Sequence, residues 1–137
     1  WSATSVTVNG TFNNNSDRNA KEHFAQVSPA EILTKVNQLP LAEWSYKDDA
    51  ATRHIGPMAQ DFCSAFNVGT DEKHIAPIDE GGVALAAIQG LNEKVESGKR
   101  NAENRIEKLE AENAELKREL ASITQLLDKL VVTKSRP

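Results

Sequence analysis

Ile106, Leu109, Asn113, Leu116, Leu120, Ile123, Leu127 and Leu130 follow one another at alternating steps of three and four residues. A stripe of that period, kept over more than three heptads, is the pattern of a helix that winds round another helix. It constrains the chain more than any other feature, because such a helix leaves an apolar seam in water unless a partner covers it. With Ile106 at position a, Arg105 meets Glu110 and Glu112 meets Lys117 across parallel, in-register copies. Both meetings are attractive, so parallel association is expected. Upstream, Ile88, Leu91, Val95, Gly98 and Ala102 keep a similar alternation. The step from Ala102 to Ile106 is four where three is due, which predicts a stutter. Residues 83–132 are read as a C-terminal helix and coiled coil, and 133–137 as a fraying tail.

Only about 80 residues are left for a globular part, and a core that small is marginal without association. Ser5 to Phe12 is β-branched with a break at Gly10, and reads as the last strand of an upstream β-rich passenger. The asparagine run that follows makes 1–15 the passenger's end and its linker. In Ser28-Pro29-Ala30-Glu31 a capping serine, a proline suited to the first helical position and a glutamate three residues after the cap open a helix. Ile32, Leu33, Val36 and Leu39 share its face, and Pro40 ends it. Leu41 to Tyr46 has strand character and runs into the turn Lys47-Asp48-Asp49. Arg53 to Gly56 is extended, and Pro57 opens a helix to Phe66 with Met58, Phe62, Ala65 and Phe66 on one face. His74 to Ile78 reads as extended, and Gly81-Gly82 as a flexible joint that closes a globular domain at 16–82.

A net charge of -4 with 39% hydrophobic residues is ordinary for a soluble protein. No apolar run approaches the roughly 20 residues of a membrane span, so no membrane partner is expected. The chain starts at Trp1 with no charged-then-apolar leader, so it is expected to be part of a longer protein without a signal peptide. Without a secretory route, the glycosylation patterns at Asn9-Gly10-Thr11 and Asn14-Asn15-Ser16 are read as chance. The single Cys63 excludes an internal disulfide and is read as a small core filler. Lys99 to Arg105 faintly resembles a zipper's basic region, but Glu93, Glu96, Glu103 and Glu107 are interleaved and would be repelled by phosphates. No nucleic-acid partner is therefore expected. His23, His54 and His74 lack partners at common metal-site spacings, and Asp71, Glu72 and His74 read as a solvated loop. No metal or cofactor is expected.

Ser16 and Lys21 carry the remaining chemistry. A serine hydroxyl is a weak nucleophile until a base takes its proton, and a lysine is a base only when neutral. Its pKa must then fall from about 10.4 towards 7 or 8, through burial or neighbouring cations such as Arg18. On spacing alone, Ser16-Asp17 is more often a helix cap with an acidic first turn than a nucleophile with its base.

The order of the blocks adds to this. Ser16-Asp17-Arg18-Asn19-Ala20-Lys21-Glu22 comes first, then the Ser-Pro helix, Leu41-Ala42-Glu43-Trp44-Ser45-Tyr46, and His54-Ile55-Gly56-Pro57-Met58-Ala59-Gln60-Asp61-Phe62. Gly82 to Asn92 follows and leads into the coiled coil. This succession resembles the intramolecular chaperone domain of phage endosialidases and tail fibres, the peptidase S74 family. It departs from the family's usual pattern at Ala20 and at Glu22-His23-Phe24, positions outside the Ser-Lys pair.

The resemblance implies an α+β fold: a small globular domain of helices and short strands, then a long C-terminal α-helix forming a parallel coiled coil, homotrimeric. Asn113 at an a position is a device common in dimers, but it also sets register, and the trimer is retained. The implied function is to trimerise, assist folding of the preceding tail fibre or spike passenger, and then release itself by autoproteolysis. Ser16 would be the nucleophile, Lys21 the base and Asn15-Ser16 the bond cut, making the protein a single-turnover serine endopeptidase acting in cis. Asp17, His54 and Gln60 would support the dyad or its oxyanion. The implied partners are other copies of the chain and the passenger. The implied place is a phage tail precursor made in the host cytoplasm, with the released domain retained loosely or not at all. Two alternatives share the sequence: a trimerisation cap that never cleaves, and a generic coiled-coil interaction protein.

Overall fold

The computed structural model describes residues 8–134, with side chains described for residues 8–131. Its elements are a short 3-10 turn Arg18–Ala20, helix α1 (Pro29–Gln38), strands β1 (Ala42–Tyr46) and β2 (Asp49–Gly56), helix α2 (Ala59–Phe66) and helix α3 (Pro77–Lys134). The chain divides into two compact units, one ending at Lys94 and one starting at Val95. The α+β class expected from sequence, small helices and strands followed by a long C-terminal helix, is what is found.

Helix α1 starts where its local chemistry directs. The Ser28 hydroxyl accepts a hydrogen bond from the Glu31 N–H at 3.4 Å, and Pro29 fills the first turn. The helix stops before Pro40, with Ile32, Leu33, Val36 and Leu39 half-buried on one face. Helix α2 begins at Ala59 rather than Pro57, with Met58 as N-cap and Asn67 as a left-handed C-cap at φ 52°. Short polar asparagine tolerates that conformation well.

Strands β1 and β2 pair antiparallel through the turn at Lys47-Asp48, with Trp44 opposite His54 and Glu43 opposite Ile55. The register shifts between Trp44 and Tyr46, which pairs with Asp49, so β2 carries extra residues there. Arg53 and Glu43 form an ion pair across the hairpin.

Two sequence readings need correction. Among residues 8–12, the described part of the expected strand from Ser5 to Phe12, there is no strand; residues 5–7 lie outside the described residues. Gly81-Gly82 is not a joint, and Pro77-Ile78 is not extended; all four are helical, so the boundary read at 82/83 falls inside α3. The Ala76 carbonyl accepts from the Asp79 and Glu80 N–H groups, and Pro77 and two acidic residues make a favourable first turn. Each interior glycine costs about 1 kcal/mol relative to alanine, and tertiary packing readily outweighs that.

That packing uses small residues. Phe62 and Phe66 of α2 and Ala87 of α3 are buried, Gly90 is buried, and Val83 and Ala86 are half-buried. Gly90 is the closest approach: a β-carbon there would lie 2.3 Å from the Pro29 carbonyl oxygen and 2.7 Å from its carbon. Only hydrogen lets α1 seat on α3 at this point. Gly90→Ala is therefore expected to destabilise the protein by about 1–3 kcal/mol in urea unfolding, the usual cost of overpacking. Gly98, with nothing within 4 Å of such a carbon, should instead gain up to about 1 kcal/mol as alanine. Equal effects at the two positions would contradict the seat.

Candidate functional site

Three consecutive devices shape the chain around Ser16. The Asn15 side-chain oxygen accepts the Asp17 N–H at 3.1 Å, folding its side chain over the Asn15-Ser16 peptide in an Asx turn. The Asp17 carboxylate then caps the 3-10 turn, accepting from the Asn19 N–H at 3.0 Å and the Asn19 side-chain amide at 3.2 Å. Within the turn, Ala20 N–H reaches Asp17 O and Lys21 N–H reaches Arg18 O, both at 3.2 Å. A 3-10 turn advances only about 2.0 Å per residue, so it brings the sixth residue back towards the first. The Lys21 Nζ accordingly donates to the Ser16 Oγ at 2.7 Å.

The cap and the serine-lysine pair are thus both present, on different residues. Asp17 is the cap; Ser16 is free of that duty and is held by Lys21. Two residues further on, His23 takes φ 56°, and its exposed Nε2 lies 3.3 Å from the Glu22 carboxylate. Residues 8–28 are all exposed. The pair is therefore built locally, in contact with water.

His54 and Gln60 sit elsewhere. No hydrogen bond or ion pair among the described residues joins either to Ser16 or Lys21. His54 stacks on Trp44 with ring centroids 4.6 Å apart, and Tyr46 meets both rings edge-on at 5.0 and 5.4 Å. Gln60, in the first turn of α2, lines an open cavity of about 540 Å³ with Trp44, Tyr46, His74 and Glu80 among its other walls. The enclosed Trp44 Nε1 has no acceptor among the described residues. This aromatic cluster was not anticipated. Its signal was present, since Trp44 and Tyr46 alternate on one face of a strand, but placing His54 beside them required the hairpin register.

The eight predicted association residues, Ile106, Leu109, Asn113, Leu116, Leu120, Ile123, Leu127 and Leu130, lie on α3 and are all exposed. Lys108 and Glu112 pair along the helix at 3.7 Å. No helix among the described residues is long and apolar enough to cross a membrane.

The loop before α3 is organised by Asp71. Its carboxylate accepts from the Lys73 and His74 N–H groups at 2.7 and 2.9 Å and lies 2.9 Å from the His74 Nδ1. The His74 ring contact, with the Lys73 N–H next, holds the Asp71 carboxyl below the ordinary aspartate range. A depressed carboxyl stabilises the fold above its unfolded pKa, and that contribution is lost as pH falls through the folded value. NMR titration should find Asp71 protonating at lower pH than a free aspartate, and His74→Ala should move it upward. An unchanged midpoint would contradict this account of the loop.

Residues 16–67 match the family described as the chaperone of endosialidase, Peptidase_S74. The match begins at Ser16 and ends at the left-handed C-cap Asn67, taking in the Ser16–Lys21 contact, α1, the hairpin and α2. It bears out the resemblance carried by the sequence blocks and supports a chaperone role. No curated protein matches the chain.

Proposed function

We propose that the chain is a C-terminal intramolecular chaperone that trimerises through α3, assists folding of a preceding tail fibre or spike passenger, and then cuts itself free between Asn15 and Ser16. The observation that carries this reading is the 2.7 Å contact between Lys21 Nζ and Ser16 Oγ, inside a segment that matches a chaperone family with a peptidase name.

The chemistry follows from the positions. Neutral Lys21 takes the Ser16 hydroxyl proton, reversing the hydrogen bond between them, and Ser16 Oγ attacks the Asn15 carbonyl carbon. Nucleophile and target are adjacent in the chain, so no substrate has to be gathered. The resulting ring opens as the Asn15-Ser16 C–N bond breaks and the Ser16 nitrogen takes the proton from Lys21. The acyl group is then an ester on Ser16 Oγ. Water, activated by Lys21, hydrolyses that ester to an Asn15 carboxylate and restores the Ser16 hydroxyl beside a new amino terminus. Asp17 positions both groups by capping the turn between them, while His54 and Gln60 belong to the hairpin and α2 framework.

Lys21 is exposed in the single chain, and desolvation is a principal means of favouring a neutral lysine. Assembly supplies it in this proposal, so that cleavage follows correct association. The precursor is a phage tail component made in the host cytoplasm. The same exposure favours one second reading, a trimerisation cap with this fold that never cleaves.

The chain expressed with its passenger, followed by intact mass, separates the two. The wild type should yield a new amino terminus at Ser16, Ser16→Ala should stay whole, and Lys21→Ala should cleave about 100-fold more slowly or worse. A wild-type precursor that folds and remains whole rejects the protease in favour of the cap.

A further inference from the structure

The hydrogen bond from the Asp17 N–H to the Asn15 Oδ1, 3.1 Å long, closes a ring that contains the Asn15-Ser16 peptide. Inside that ring lie Asn15 ψ, before the peptide, and Ser16 φ and ψ, after it. These are the soft backbone dihedrals at the junction, because the peptide bond itself stays planar. The 2.7 Å bond from the Lys21 Nζ to the Ser16 Oγ holds the serine side chain in its rotamer. Where Oγ lies relative to the Asn15 carbonyl carbon is decided by two rotations, Ser16 φ and χ1. Each of them is restrained by its own hydrogen bond.

Asparagine suits the first of these bonds. A short side chain with an acceptor on its γ carbon reaches the N–H two residues on, and serine or threonine does so more weakly. Glutamine carries the same amide one methylene further out. Asn13 and Asn14 belong to the same run, yet neither makes a side-chain hydrogen bond among the described residues. On the other side, the Asp17 carboxylate accepts from the Asn19 N–H and the Asn19 carboxamide. Asp17 is thus held at its N–H by Asn15 and at its carboxylate by Asn19, with Ser16 fixed between Asn15 and Asp17.

We propose that Asn15 is a positioning residue for the cut, and that the junction selects a short side-chain acceptor, asparagine or aspartate, immediately before Ser16. This rests on the self-cleavage in the proposed function and deepens it. Attack needs only a carbonyl at position 15, which any residue supplies, whereas the turn needs this side chain. The bond spares the torsional search that a free linker makes before Oγ meets the carbonyl carbon. It also acts in one direction only. Breaking the Asn15-Ser16 bond sends the acceptor away with the passenger, so the product lacks the turn that set up the attack.

Passenger-bearing chains with Asn15→Ala, Asn15→Gln and Asn15→Asp, followed by intact mass beside the wild type, test the role. Asn15→Ala and Asn15→Gln should each cleave about five- to tenfold more slowly, the rate equivalent of one hydrogen bond. Asn15→Asp keeps the acceptor in place and should stay within about threefold of the wild type. The same substitutions in chains held whole by Ser16→Ala report folding and assembly. Their sedimentation and urea unfolding should be unchanged, because residue 15 is exposed. A wild type that cleaves while Asn15→Ala and Asn15→Gln keep its rate overturns this role and leaves the protease standing. Asn15→Asp as slow as Asn15→Ala also overturns it, as does a slow variant whose assembly falls in step with its rate. A folded wild type that stays whole overturns both the role and the protease.

Discussion

Ordering a residue's backbone costs about 1–2 kcal/mol in entropy, which buried apolar surface must largely offset. Among the described residues of this chain, the buried apolar side chains are Phe62, Phe66 and Ala87. A further set of large apolar residues, from Leu85 through Val131, stands exposed along α3. Shortage of core in one place and surplus of apolar surface in another would both be relieved by the self-association proposed above. Stability and association are then one quantity, set by concentration as well as by contacts. In the proposed function that dependence has a use, because it ties the stability of the unit to the presence of its neighbours.

The serine-lysine pair obeys the opposite logic. It needs no core, because an Asx turn at Asn15 and a capped 3-10 turn at Arg18–Ala20 form it from neighbouring residues. What local structure cannot supply is dryness. A lysine ammonium in water is well solvated, and a hydroxyl beside it gains a hydrogen bond without gaining reactivity. Geometry and activation are thus separable in the proposed mechanism, the first written into the seven residues from Asn15 to Lys21 and the second left to the surroundings.

Legibility in the sequence followed the same division. The Ser28-Pro29-Glu31 signal marked α1 because its capping bonds lie within three residues. Ser16 and Lys21, five positions apart, were paired through the order of the blocks rather than through their spacing, and the cap proved to be Asp17. The start of α3 was not legible. Gly81-Gly82 is a breaker by propensity, and tertiary packing such as the close seat of Pro29 on Gly90 overrides it. The close approach at Gly90 and the Trp44-Tyr46-His54 cluster depend on contacts between elements, which a single sequence does not place. His54 and Gln60 were read as supports for the dyad because their block follows it in order, yet order along the chain is not proximity.

The central claim is that assembly activates a dyad already formed. It is tested most directly by measuring self-cleavage in a monomer. A passenger-bearing chain with Leu116→Glu and Leu120→Glu, shown by sedimentation to be monomeric, keeps every residue of the 16–21 segment. The account predicts cleavage about 100-fold slower than in the assembled wild type, or none. Cleavage by that monomer at the full wild-type rate would contradict it.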